Sequence, residues 1–277
     1  MREISVEIIK EEIKKMFIEC NWNISEDIYS TIKNTKDTKL ARDIMDILVE
    51  NMNMAKGQKR PICQDTGMAI VYLEVGQDVH LVNGDISTAV NQGVKEAYID
   101  GYLRKSVVSD PLERNNTNDN TPAIIKYNIV KGDKVKISIM AKGFGSENMS
   151  GIKMLKPADG VKGVIDFVLE KVKNGGGNPC PPIIVGIGIG GTFDECAYIS
   201  KKALLRSINS KHANPYYSKL EETLLEKINN TNIGPQGLGG KTTALGVNIE
   251  VLPTHIAGLP VAVNVCCHAS RHMSVEI

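Results

Sequence analysis

Three cysteines of this chain sit in settings where a thiol can do chemistry. Cys63 lies in PICQDTG, Cys180 in NGGGNPCPP and Cys267 in CCHASRH. Each setting is rich in proline, glycine or polar residues and reads as a loop. The three are far apart in sequence and no Cys-x-x-Cys pair occurs, which argues against a local zinc knuckle. Soft thiolates converging from distant loops suit an iron–sulfur cluster, and no fourth ligand stands out. Three protein ligands for four irons leave one iron open, a Lewis acid able to hold a substrate hydroxyl and carboxylate. Taken singly, each of these cysteines reads better as a small buried or incidental hydrophobe, as do Cys20, Cys196 and Cys266.

Two glycine-rich segments suggest nucleotide sites and fail on detail. Gly186–Gly191 matches G-x-G-x-x-G between a strand and a helix, the dinucleotide-binding context. The acidic residue required about 20 positions later is missing from Arg206–Asn214. A tight strand-to-helix turn remains, whose free N–H groups could receive an anion. In GPQGLGGKTT, with Lys241 as the P-loop lysine, the first glycine falls on Pro235, so ATP binding is rejected.

The elements that must position these loops follow from periodicity and composition. The 277 residues carry 33 Lys+Arg against 32 Asp+Glu, a net charge of +1, which argues against nucleic-acid binding. The most apolar stretches, Pro181–Gly191 and Ala257–Cys267, are too short to span a bilayer. The charged start MREISVEIIKEEIKK is no secretory signal, so a cytoplasmic protein is expected, with its cysteines reduced. Ile4, Ile8, Ile9, Ile13, Met16 and Phe17 recur at helical spacing. Further helices are expected after Ser25 and from Thr38 to Gly57. Beyond Pro61 the chain alternates: strands at 68–75, 134–143, 183–190 and in VNIEVLP and VAVNV, with helices at 86–102, 161–172, after Gly191 and at 220–228. The polar stretch SDPLERNNTNDNTPA reads as a long solvated loop of the kind that carries function. No internal repeat is visible in the sequence. The order predicts an α/β (mixed α+β) fold in a single large domain. Residues 1–57 form its helical N-terminal region and 58–277 its α/β cluster-binding region.

PICQDTG, KGFGSENMSG, NPCPP, GIGGTFDECAYISKKALLR, GLGGKTTALG, LPTHIAGLPVAVNV and CHASRH, in this order, resemble the class I fumarate hydratase family. More closely, the chain is similar to the α-subunits of two-subunit iron–sulfur fumarases and L-tartrate dehydratases. The resemblance implies a [4Fe-4S] cluster with one open iron, held by Cys63, Cys180 and Cys267. Cys267 is preferred over Cys266 because CHASR best matches the family's cysteine-to-arginine segment. It also implies that Gln64, Asp65, Arg104 and Gly145 bind substrate, and that Asp65 and His255 act in catalysis. Without that resemblance Arg104 reads as half of a surface ion pair, His255 as a satisfied buried histidine and Asp65 as a turn former.

The implied activity is a hydro-lyase interconverting fumarate and (S)-malate, with L-tartrate dehydration as the alternative. A dicarboxylate is the expected small-molecule partner. Single-chain relatives continue into a second domain, which the resemblance places here in a separate β-subunit of a hetero-oligomer. Alone, the chain is expected to pair with itself as a homodimer or to lose its cluster easily. An electron-transfer cluster protein and a dinucleotide-binding oxidoreductase are the readings from other classes.

Overall fold

The stripe from Ile9 to Phe17 folds as a helix, but Ile4 lies in a short strand ahead of it. The computed structural model describes residues 1–277, and the chain is mixed α/β. In chain order its elements begin with β1 (Arg2–Ser5), α1 (Val6–Cys20), α2 (Glu26–Asn34) and α3 (Lys39–Gln58). Next come β2 (Met68–Gly76), β3 (Val79–Val82), α4 (Ile86–Asp100), β4 (Ile124–Val130) and β5 (Val135–Lys142). Then follow α5 (Phe144–Glu147), β6 (Gly151–Leu155), α6 (Gly160–Gly175), β7 (Ile183–Gly190) and α7 (Phe193–Lys202). The chain ends with α8 (Pro215–Asn229), β8 (Ala244–Leu252), β9 (Leu259–Cys266) and β10 (His272–Glu276). Sequence reading missed five strands: β1, β3, β6 and β10 are only four or five residues long, and β4 is mostly exposed. No helix is long and apolar enough to cross a membrane.

The chain divides into two units. The first holds Met1–Ile24, Met52–Phe144 and Arg271–Ile277; the second holds Ser25–Asn51 and Gly145–Ser270. In the first, a sheet runs β10-β5-β2-β4, with β2 antiparallel to β5 and parallel to β4. The apolar faces of α1 and α4 cover it, burying Ile9, Ile13 and Phe17 with Val90, Val94 and Tyr98 against Val71, Leu73 and Ile139. The helices cross closely at Gly93, where a Cβ would lie 2.6 Å from the carbonyl oxygen of Lys10.

In the second unit a sheet runs β6-β9-β7-β8, with β7 antiparallel to β9 and parallel to β8. Every residue of β7 is buried, and the alternation of its sequence explains why. Val185, Ile187 and Ile189 pack with Leu220, Leu224 and Phe167 of α8 and α6. Gly186 and Gly188 point the other way, where a Cβ would meet the carbonyl oxygens of Ser200 and Cys196 at 2.2 Å. The glycines of the nucleotide-like motif therefore let α7 lie on the strand. Asp194 and Glu195 fill the first turn of α7, which disfavours an anion there.

The second glycine-rich segment binds an anion of its own. The Asp37 carboxylate accepts from the N–H groups of Lys241 and Thr242, at 2.9 and 2.8 Å, and from the Thr242 hydroxyl at 2.7 Å. Partial burial opposes its ionisation, but these donors outweigh that and hold the carboxyl below its ordinary value. A group with a lowered folded-state value stabilises fully above its unfolded value and loses the effect as pH falls through the folded one. Asp37→Ala is accordingly expected to cost about 1–3 kcal/mol at pH 7 in denaturant unfolding. The gap to wild type should shrink below about pH 4, and a gap that stays constant down to pH 2 would show that the carboxylate charge is not what holds the loop.

Candidate active site

In the first unit the segment ahead of β2 carries Cys63, Gln64 and Asp65, and its main chain turns inward before the strand begins. Thr66 is buried, and Gly67 has a φ of +82° with no room for a Cβ, which would lie 2.5 Å from the Ala141 carbonyl carbon. The Tyr98 hydroxyl, from α4, reaches the carbonyls of Thr66 and Gly67 at 2.8 and 3.0 Å. Burial raises the ionisation of Tyr98 far above its ordinary value, so it stays a donor. The Thr66 hydroxyl donates to the Arg104 carbonyl at 3.1 Å. Asn120, fully buried with φ +62°, accepts from the N–H groups of Ser106 and Val107 at 2.7 and 3.2 Å, and donates to the Gly67 carbonyl at 3.3 Å. The first unit thus brings Cys63, Gln64, Asp65 and the Arg104 segment together.

The side chains there differ in what they still offer. Cys63 is half-buried and its thiol lies 3.3 Å from the Gln64 amide oxygen. Both carboxylate oxygens of Asp65 accept main-chain N–H groups, Oδ1 from Gly67 and Oδ2 from Phe144, each at 2.9 Å. Each retains a lone pair. Arg104 is exposed and its guanidinium makes no ion pair, so the surface-pair reading has no partner here. Arg271 donates through Nη1 to the Asp65 carbonyl and to Oδ1 of Asn21. Sequence reading missed Arg271 and Asn120. Arg271 stood inside a quoted motif, and Asn120 inside a polar stretch that gave no sign of burial.

In the second unit, Cys180 is exposed with φ +53°, in the turn that leads into β7. Its carbonyl accepts from Nδ1 of His268 at 3.0 Å, which fixes that ring beside Cys267 in the chain. Gln236 holds the next carbonyl, that of Pro181, through both its main-chain N–H and its side-chain amide, each at 2.8 Å. The loops of Cys180 and Cys267 therefore meet. Cys267 is the first residue after β9 and is half-buried, whereas Cys266 ends the strand and is 4% exposed. Gly145 is exposed and open: its nearest neighbour for a Cβ is the Asn178 carbonyl, 3.8 Å away.

His255 stands exposed in the turn between β8 and β9, so it is not the buried histidine of the bland reading. Its Nδ1 accepts from the Ala257 N–H at 3.2 Å, which leaves Nε2 as the N–H of the neutral ring. With Glu195 and Thr254 it lines an open depression of about 430 Å³. Cys63 belongs to one unit and Cys180 and Cys267 to the other. The remaining thiols behave differently. Burial pushes Cys20 up to about 12 and Cys196 up to about 11, so both stay protonated and poor ligands.

A family model described as "Fumarate hydratase (Fumerase)" matches residues 10–276. The chain is also similar, at 40% identity over 272 residues and 95% of each chain, to a Methanocaldococcus jannaschii protein named "Putative L(+)-tartrate dehydratase subunit alpha". It is 34% identical over 258 residues to the L(+)-tartrate dehydratase subunit alpha of Escherichia coli strain UTI89, covering 91% of this chain and 85% of that one. Against the same subunit of strain K12 it is 34% identical over 252 residues, covering 89% and 83%. With a match along nearly its whole length, the chain belongs to the fumarate hydratase (Fumerase) family.

Proposed function

We propose that this chain is the cluster-bearing α-subunit of an iron–sulfur hydro-lyase, acting in the cytoplasm, that interconverts fumarate and (S)-malate. The observation that carries the reading is the grouping of Cys63, Gln64, Asp65 and the Arg104 segment at the start of β2. L-tartrate dehydration is the second reading, favoured by relatives whose names specify that reaction. Malate and L-tartrate share two carboxylates and a departing hydroxyl.

Three thiols outside the core are the donor chemistry that a [4Fe-4S] group takes, which supports the reading, although no group of three or more His, Cys, Asp or Glu side chains is gathered into a metal site. Cys63, Cys180 and Cys267 would hold the cluster: Cys180 is exposed, Cys63 and Cys267 are half-buried, and all three sit in loops, unlike the buried thiols of Cys20 and Cys196. A cluster held by these three thiolates would supply Lewis-acid chemistry for a hydroxyl that leaves poorly at neutral pH. Gln64 donates its amide to a substrate carboxylate, and the unpaired guanidinium of Arg104 offers a bidentate fork. Asp65 is locked by its two main-chain donors and accepts a substrate hydroxyl with a remaining lone pair. Gly145 has neither a left-handed φ nor a blocked Cβ, so the fold itself gives no reason for glycine there; close approach of substrate to its N–H does. His255 presents Nε2–H as donor or proton carrier. Groups that close around the far carboxylate are assigned to a β-subunit, since holding a dianion at one end leaves too much freedom for catalysis.

Two outcomes are expected. After anaerobic reconstitution, Cys63→Ala, Cys180→Ala and Cys267→Ala should each retain less than about a tenth of wild-type iron, whereas Cys20→Ala, Cys196→Ala and Cys266→Ala keep it. Loss of iron in Cys266→Ala with retention in Cys267→Ala would reverse the choice within that pair. In the second experiment the reconstituted chain is assayed with fumarate and with L-tartrate, alone and after addition of a candidate β-subunit. Turnover should appear only with both chains. Full activity of the lone chain would place the whole site within these 277 residues, and the preferred substrate decides between the two readings.

A further inference from the structure

Arg271 is 2% exposed, and its charge has no counter-ion: no carboxylate oxygen lies within 4.0 Å. Its Nη1 donates to two neutral oxygens, the Asp65 carbonyl and Oδ1 of Asn21, the latter at 3.3 Å. Its Nε is buried with no partner. Asp65 and Arg271 both adjoin Gly143, where a Cβ would lie 3.1 Å from Oδ2 of Asp65 and 3.2 Å from Nη2 of Arg271. Yet the Asp65 carboxylate is engaged by the N–H groups of Gly67 and Phe144 instead. A buried, unpaired guanidinium is costly, and methionine would fill much of the same space without that cost. Packing alone gives no reason for an arginine.

The two bonds that Arg271 does make supply one. Asn21 follows α1, and its own carbonyl accepts from the Ile62 N–H at 2.9 Å. Nη1 therefore ties the Asp65 carbonyl to the same residue that anchors Ile62, bracketing Cys63 and Gln64 from both sides. We propose that Arg271 is a positioning residue for the Cys63 loop, fixing the segment from Ile62 to Asp65 through Asn21 so that the thiol is presented in one place. Outer hydrogen bonds of this kind orient metal ligands and tune what they bind. The surplus charge suits an anionic thiolate-ligated group. This inference rests on the cluster reading for its iron measurement and not for its loop measurement.

The test compares the full-length wild-type chain with Arg271→Met and Arg271→Lys. Hydrogen exchange of the metal-free chains should rise about tenfold or more across residues 62–67 in Arg271→Met, with α4 and β2 unchanged. Melting of the metal-free chain should shift little, because relief of the buried charge offsets the lost bonds. After reconstitution, iron should fall below about a fifth of wild type and leave faster to a chelator. Arg271→Lys, which keeps the charge and N–H donors but not the planar fork, should recover part of both signals. Unchanged exchange at 62–67 would overturn the proposal, and so would a rise spread evenly over α1, α4 and β2, the mark of an ordinary structural residue. Should Arg271→Met fail to fold, the same two outcomes are read in Arg271→Lys. Should wild type take up no iron, the cluster reading falls while the exchange result still decides the role of Arg271.

Discussion

The turn from Asp65 to Gly67 is buried before β2 begins, so its carbonyls can be left neither to water nor to a strand ladder. Side chains from three other parts of the first unit meet that requirement. Tyr98 serves Thr66 and Gly67, Asn120 serves Gly67, and Arg271 serves Asp65. Each partner is then constrained in turn. Tyr98 must sit at the buried face of α4, which the Gly93 crossing allows by bringing α4 close to α1. Asn120 must be drawn into the interior from a polar loop, and in doing so it fixes Ser106 and Val107 just beyond Arg104. The exposed side chains Gln64 and Arg104 thus stand on a buried main chain that has little freedom. What supports these two candidate side chains is buried.

That logic explains what sequence could and could not tell. The helices with an apolar stripe, α1 and α6, and the strands with strict alternation or a continuous apolar run, β5 and β7, were legible because burial on one face or two leaves a period. The mismatch of both nucleotide motifs was legible too, since each depends on a residue at a fixed position that is absent. Long-range satisfaction leaves no period. Nothing local marks Asn120 as buried among Asn115, Asn116, Asn118 and Asp119, or Arg271 as unpaired beside Ser270 and His272. The true reason for Gly186 and Gly188 was equally hidden, because it lies in the carbonyls of α7.

The cysteines show the same division. Cys20 and Cys196 are held inside helices, and burial keeps their thiols protonated. Cys180 instead occupies a left-handed conformation that a non-glycine residue adopts at some cost, between Pro179 and the Pro181-Pro182 pair. Gln236 clamps Pro181 through two donors and His268 clamps Cys180 itself, so the strained turn is over-determined by its surroundings. The thiol remains outside while its backbone is fixed.

The two units also share a pattern that their sequences do not. In each, a first strand is joined by a helical crossover to a parallel second strand, and a third strand returns antiparallel on the other side of the first: β2, β4 and β5 in one, β7, β8 and β9 in the other. A fourth strand closes the sheet beyond the third, β10 from the end of the chain in one case and β6 from before the first strand in the other. Antiparallel return sets the end of the third strand beside the start of the first, Lys142 opposite Met68 and Cys266 opposite Ile184. The cysteines and their neighbours lie at that corner of each sheet: Cys63 to Asp65 before β2, with Gly143 and Phe144 after β5; Cys180 before β7, with Cys267 and His268 after β9; His255, beside Gly191 in the β8–β9 turn, lies at the other end of β7. A corner of this kind joins two chain segments that leave a rigid sheet together, so side chains on either can be fixed without belonging to the ladder. The same topological solution, used once in each unit, therefore accounts for why loops so far apart in sequence hold the three candidate cysteines.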